Sequence, residues 1–205
     1  MTNNQSNIIY LATNNAHKTE EFTSLARGEL KFVTTKELSL NTGKPISWDE
    51  TGTTFPENAK IKADVLASIT RAPVLADDSG LMVDVLDGEP GVYSSSYGGV
   101  EGDAIRNMNK LIETLRKLPP QRFPAKFVCC LWYREGEAFT QSFTGECHGE
   151  IVLTPRGQQG FGYDPIFLVK GSNKTLAEFT IEEKNQVSHR RQAFSQWLEW
   201  WKKRS

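Results

Sequence analysis

The sequence predicts an α/β fold with a mixed central sheet and flanking helices, and three features of its apolar pattern carry that expectation. Ile8 to Thr13 is an apolar run without polar alternation, the pattern of a strand buried on both faces, and a polar loop and a helical stretch follow it. Later segments repeat apolar residues at helical spacing. Ala125 to Tyr133 and Ala138 to Gly145, joined by Arg134 to Glu137, read as a long antiparallel hairpin, which makes the sheet mixed rather than purely parallel.

In chain order, the first strand leads into a helix from Lys18 to Arg27 that stops at Gly28, and Lys31 to Thr35 forms a second strand. The polar segment Lys36 to Gly52 reads as a candidate active-site loop. Thr54 and Glu57 form a capping-box pair with Pro56 in the first turn, so a helix runs to about Thr70. Its apolar stripe is Phe55, Ala59, Ala63, Leu66 and Ala67, with Lys60 and Asp64 paired on the wet side and Lys62 on the stripe. Val74 to Asp77 and Leu81 to Leu86 read as two strands about a turn at Asp78-Ser79-Gly80. A helix capped by Asp103 carries Ile105, Met108, Leu111, Ile112, Leu115 and Leu118 on one face and ends at Pro119-Pro120. The closing helix, capped by Ser188, runs from His189 to about Lys203 and buries Phe194, Trp197, Leu198 and Trp201.

Length and composition bound the rest. At 205 residues, against roughly 150 per domain, residues 1–205 are expected to form a single domain. The net charge is -1, so no whole-molecule basic field gathers nucleic acid. The longest apolar run, Phe127 to Tyr133, is far short of the ~20 residues that cross a bilayer, and the polar start MTNNQSN lacks the pattern of a signal peptide. Three cysteines form neither a disulfide framework nor a CxxC site, and a reducing cytoplasm is the expected location. His17, His148 and His189 show no metal-ligand spacing, so a metal here takes carboxylate ligands, which suits Mg²⁺ or Mn²⁺.

Six groups of residues have the types that chemistry needs. Thr13, Asn14, Asn15, Ala16, His17 and Lys18 sit where a buried strand meets a helix N-terminus, which makes either an anion pocket or an ordinary turn with a capping Asn. Asp77 and Asp78 end an apolar strand, where open α/β sheets bind ligands, and alternate strand residues face opposite ways, so one of the two enters a given cleft. Asp49 and Glu50 are candidates to complete a metal site with Asp78. Lys62 either snorkels outward or faces phosphate. Phe161, Gly162, Tyr163 and Asp164 make a turn that presents a ring for stacking, or a tight turn with a core Phe. Lys184, Ser188, His189 and Arg190 place donors at a helix start, for a carbonyl, a phosphate or solvent.

Taken in order, TNNAHK (Thr13 to Lys18), ETGTTFPENAKIKA (Glu50 to Ala63), ADDSGLMVDVLDGEPGVYS (Ala76 to Ser94), GFGYDPIF (Gly160 to Phe167) and EKNQVSHR (Glu183 to Arg190) resemble the inosine triphosphate pyrophosphatase, or HAM1-like, family, in its bacterial branch. The resemblance implies two lobes around a central cleft, a homodimer, and Mg²⁺-dependent cleavage of dITP, ITP and XTP to the monophosphate and pyrophosphate. It maps the triphosphate loop onto Thr13 to Lys18, the phosphate-facing lysine onto Lys62, and the essential acid onto Asp78 with Ser79 beside the substrate. It maps the base-binding positions onto Phe161 to Asp164, Lys184, His189 and Arg190, and the second metal-side carboxylate onto Asp49 or Glu50. One departure is Ser96, where such proteins usually carry Arg. A Maf-like pyrophosphatase and a catalytically silent nucleotide sensor are the rival readings, which a substrate panel separates.

Overall fold

The structure is a computed structural model that describes residues 7–70, 72–137 and 139–204. The polar start MTNNQS and the expected strand start at Ala138 lie outside the described residues. Six strands form one sheet, β1 (Ile8–Ala12), β2 (Lys31–Thr34), β3 (Val74–Val83), β4 (Pro124–Glu135), β5 (Phe139–Ile151) and β6 (Phe167–Val169), in the order β2-β1-β3-β4-β5-β6. β1 is parallel to β2 and β3, with Leu11 opposite Thr34 on one side and Leu75 on the other. β5 and β6 run antiparallel, so the sheet is mixed, as expected. The helices are α1 (Ala16–Ala26), α2 (Thr35–Thr42), α3 (Phe55–Thr70), α4 (Ala104–Arg116), α5 (Ile181–Val187) and α6 (His189–Lys202).

The chain forms two compact units interleaved in sequence, Met1–Asp78 with Cys129–Gly145 and Arg190–Ser205, and Ser79–Val128 with Glu146–His189. In the first unit, Ile9, Leu11, Phe22, Leu75, Leu131, Phe194 and Trp197 make one core, and Ala12, Leu38, Ala63, Leu66 and Val74 a second. α6 adds an aromatic cluster there: Trp200 stacks on Phe139 with centroids 5.6 Å apart, and the Arg204 guanidinium lies 3.9 Å from the Phe139 centroid. In the second unit, Leu81, Leu111, Leu115, Phe127, Ile166 and Phe167 form the core, against which Met108 and Leu118 of the α4 region pack.

Most helix starts follow their capping chemistry. Asn15 Oδ1 accepts the Lys18 N–H at 3.2 Å, Thr54 and Glu57 bond reciprocally, and Asp103 Oδ1 accepts the Arg106 N–H. Three expectations are corrected. Lys36 to Gly52 is not all loop, because Thr34 and Glu37 form a capping box that starts α2. Asp78-Ser79-Gly80 is not a turn between two strands, since β3 runs unbroken through it; the ion pairs with Lys18 and Lys62 hold the aspartates extended and override their turn preference. Ile105 is 70% exposed, although it falls on the apolar face of α4 by spacing, because it lies in the first turn beyond the reach of the core.

Leu75 is fully buried in the first unit's main core. Leu75→Ala should lower stability by about 3 kcal/mol, the transfer loss plus the cavity left behind. Urea unfolding measures it, and a loss below about 1 kcal/mol would show that the site collapses around the gap.

Candidate functional site

β3 brings two adjacent aspartates into the interior of the first unit, 1% and 5% exposed, and the pleat sends them to different partners. Asp77 Oδ1 forms a close ion pair with Lys18 Nζ, carried by the first turn of α1. Its Oδ2 receives the Cys129 thiol at 3.1 Å, with Arg190 Nε at 3.8 Å. Asp78 Oδ1 pairs with Lys62 Nζ at 2.6 Å, and the same ammonium reaches Glu50 Oε1 at 3.0 Å and the Asp77 carbonyl at 3.3 Å. Lys62 is 5% exposed, so it neither snorkels nor meets solvent. The apolar stripe of α3 thus delivers Lys62 to the strand.

The two carboxylates are tuned in opposite directions. Burial pushes the Asp77 carboxyl up, but Lys18 and then Arg190 overcome it and hold the group well below the ordinary carboxylate range. At Asp78 burial prevails over Lys62 and Lys18, so its pKa is raised. Burial also works against the Lys62 ammonium, and Asp78 with Glu50 outweighs it and raises that pKa. Asp78 Oδ2 is buried with no hydrogen-bond partner among the described residues. A polar atom so placed is costly unless something comes to meet it.

The loop before α3 supplies the third carboxylate. Of the two candidates, Glu50 is the one at Lys62, and Trp48 Nε1 donates to it at 3.3 Å. Asp49 is exposed, and its backbone carbonyl accepts the Thr51 N–H. Among the described residues no group of three or more His, Cys, Asp or Glu side chains is arranged to hold a metal alone. At the end of β1, the Thr13 hydroxyl accepts the Asn15 N–H, Asn14 is exposed, Ala16 opens α1, and His17 lies 3.9 Å from Glu20. Asn15 therefore does cap the helix, and Lys18 one turn on points to Asp77.

The second unit holds a different group. Asp164 is buried, and its Oδ2 accepts the Phe161 N–H at 3.0 Å and Lys184 Nζ at 2.7 Å. The same ammonium lies 5.0 Å from the Phe161 ring centroid, a cation–π distance. Gly160 has φ +74°, and a Cβ there would strike the Asp164 carboxylate, so only glycine admits this turn. Gly162 takes φ +65°, and Tyr163 is buried with its hydroxyl donating to the Ser94 carbonyl at 2.9 Å. His189 is buried and stacks on Phe127 at 4.9 Å, and Ser79 is half-buried on β3.

Arg190 is held by acidic partners in the first unit. Expected among the base donors, it is 4% exposed in the first unit, with its guanidinium 2.9 Å from Glu21 and 3.8 Å from Asp77. His189 and Arg190 are neighbours in sequence that belong to different units. The sequence reading missed Glu21, and helical spacing was the available signal, because Glu21 lies three residues after Lys18 on α1. Trp48 and Cys129, which contact Glu50 and Asp77, carried no comparable signal.

The opposed shifts set a pH test. Asp77, held below its ordinary value of 3.8, contributes stability that is complete above that value and is lost as pH falls through the lower folded value. Asp78, raised, has the opposite sign, its contribution falling as pH rises past 3.8. Asp77→Asn should therefore be least stable relative to wild type at neutral pH, with the gap closing below pH about 4. Urea midpoints across that range decide it, and a gap independent of pH would contradict the ion-pair account.

Comparisons with known proteins give the chain its family. The Ham1 family profile matches residues 9–200. The dITP/XTP pyrophosphatase of Halalkalibacterium halodurans is 43% identical over 190 residues, covering 93% of this chain and 96% of that protein. A dITP/XTP pyrophosphatase of Escherichia coli is 46% identical over 191 residues, covering 90% and 93%. The solved structure of a HAM1 protein from Coxiella burnetii superposes with a TM-score of 0.85 at 39% identity, covering 96% of this chain and 98% of that one. On the match of profile, sequence and structure over nearly its whole length, the chain belongs to the Ham1 family.

Proposed function

We propose that the protein hydrolyses non-canonical purine nucleoside triphosphates, dITP, ITP and XTP, to the monophosphate and pyrophosphate, removing deaminated purines from the nucleotide pool. The observation that carries this reading is the buried Lys18–Asp77 and Lys62–Asp78–Glu50 cluster, in a chain whose relatives bear the name dITP/XTP pyrophosphatase. Two ammonium groups held against buried aspartates, Lys62 itself buried and Lys18 half-buried, stabilise charge that develops on a leaving pyrophosphate better than mobile surface lysines do.

The residues fit a divalent cation of the Mg²⁺ or Mn²⁺ type. Asp78 offers an Oδ2 with no hydrogen-bond partner among the described residues and Glu50 a partly exposed carboxylate, and Mg²⁺ typically binds through one or two carboxylates plus substrate phosphates and water. Asp78 and Glu50 would hold the ion, which when bound would neutralise phosphate charge. Asp77 keeps Lys18 aimed, and the exposed Asn14 and the turn Thr13 to His17 receive the outer phosphates. In the second unit, Phe161 is assigned to stack on the purine, with Lys184 and His189 supplying donors for its carbonyl groups and Asp164 holding Lys184 in place. A site built from donors leaves the 6-amino group of adenine poorly paired, which favours 6-oxo purines. Arg190, engaged by Glu21 and Asp77, is assigned to the charge balance of Asp77. A homodimer and a cytoplasmic location belong to the same proposal and rest on the family resemblance; among the described residues no helix is long and apolar enough to cross a membrane.

A pyrophosphate-release assay over the common and deaminated nucleotides, with and without Mg²⁺, tests the reading. Turnover confined to dITP, ITP and XTP is expected, and preference for a pyrimidine nucleotide would overturn it. Asp78→Asn should abolish turnover while melting close to wild type; activity within about tenfold of wild type, roughly 1.4 kcal/mol, would remove Asp78 from its assigned place. Phe161→Ala should weaken ITP and ATP handling together, because stacking is indifferent to the 6-substituent, whereas Lys184→Met should narrow the kcat/KM ratio of ITP to ATP by the equivalent of about 1 to 3 kcal/mol. Equal losses on both nucleotides for Lys184→Met would make that lysine structural.

A further inference from the structure

We infer that Cys129 is a positioning residue for the reaction: its thiol donates a hydrogen bond to Asp77 and thereby aims Lys18. The inference deepens the reading above, because it rests on Lys18 serving the leaving pyrophosphate.

Cys129 lies on β4, the sheet neighbour of β3, and it is fully buried in the first unit. Its Sγ is 3.1 Å from Asp77 Oδ2, inside hydrogen-bond range for sulfur. The other oxygen, Oδ1, is on Lys18, and the nearby Arg190 Nε stands at 3.8 Å from Oδ2, too far for a hydrogen bond. The thiol is thus a short-range donor on the side of the carboxylate away from Lys18. Donors on both oxygens fix the rotation of a carboxylate that would otherwise turn about its side-chain torsion. Burial, then the Asp77 charge, raise the thiol well above its ordinary pKa, so it keeps its proton and remains a donor at every working pH. The same protonation makes it a poor nucleophile, which leaves hydrogen bonding as its available chemistry.

A cysteine in a core can also act by packing alone, and the two roles predict opposite orders for two substitutions. Valine keeps the volume and loses the donor; serine keeps the donor and loses apolar volume. If Cys129 positions Asp77, Cys129→Val lowers kcat roughly tenfold with KM little changed, while Cys129→Ser stays within about threefold of wild type even if it melts lower. If Cys129 only packs, Cys129→Val keeps full activity and Cys129→Ser is the impaired protein. That result, or equal kcat for both variants, overturns the inference.

A spectroscopic measurement decides the matter without turnover. The infrared difference between wild type and Cys129→Val isolates the Cys129 S–H stretch, which should lie below those of Cys130 and Cys147 and should move up in Asp77→Asn. A Cys129 band at the frequency of the other two thiols, or one unmoved in Asp77→Asn, overturns the inference by itself. Absence of any nucleotide turnover in the wild type would instead sink the function reading and leave the infrared result to judge the hydrogen bond.

Discussion

Burying Asp77 and Asp78 side by side on β3 puts two negative charges into a low-dielectric interior, and each is met by its own cation, Lys18 from α1 and Lys62 from α3. Ion pairs of this kind contribute little net stability against an apolar replacement, yet breaking one costs about 3 to 5 kcal/mol because it strands the other charge. The surrounding elements are arranged to honour that constraint. α1 must start directly after β1 for Lys18 to reach the strand, and the stripe of α3 must stay small, Ala59 and Ala63, for Lys62 to lie along it. The strand itself continues through a tripeptide that would form a turn in solvent.

The opposed tuning of the two acids follows from what else each one meets. Asp77 has two cations and a thiol, so its charged form is secured; Asp78 shares its lysine with Glu50, and burial prevails. A fully satisfied acid and a deprived one therefore stand on consecutive residues. The first is suited to holding a side chain still, and the second, with Oδ2 unpartnered among the described residues, to taking up a ligand.

Much of this was legible in the sequence where local rules govern. The capping boxes, the helical stripes and the hairpin rest on spacing alone, and α3, α4 and α6 begin and end close to where the pattern puts them. The motif order identified the family. What the pattern could not show was decided by distant partners. β3 is one strand because Lys18 and Lys62 wait for its aspartates, and Arg190 turns toward Glu21 and Asp77, 169 positions separating it from the first. α2 and the short α5 are a different case, since Thr34 with Glu37 and Thr180 with Glu183 were readable caps. That Glu50 rather than Asp49 meets Lys62 needed coordinates, because adjacent acids in a loop carry no period.

The division of the aromatic residues has a practical consequence. All five tryptophans, Trp48, Trp132, Trp197, Trp200 and Trp201, fall within the first unit, while Tyr93, Tyr97 and Tyr163 fall in the second. Emission excited in the indole band therefore watches only the half of the molecule that carries the lysine–aspartate cluster. Far-ultraviolet dichroism records helices and strands from both halves. Where the two signals part company during denaturation, their separation is a direct gauge of how tightly the halves are coupled, obtained without any label.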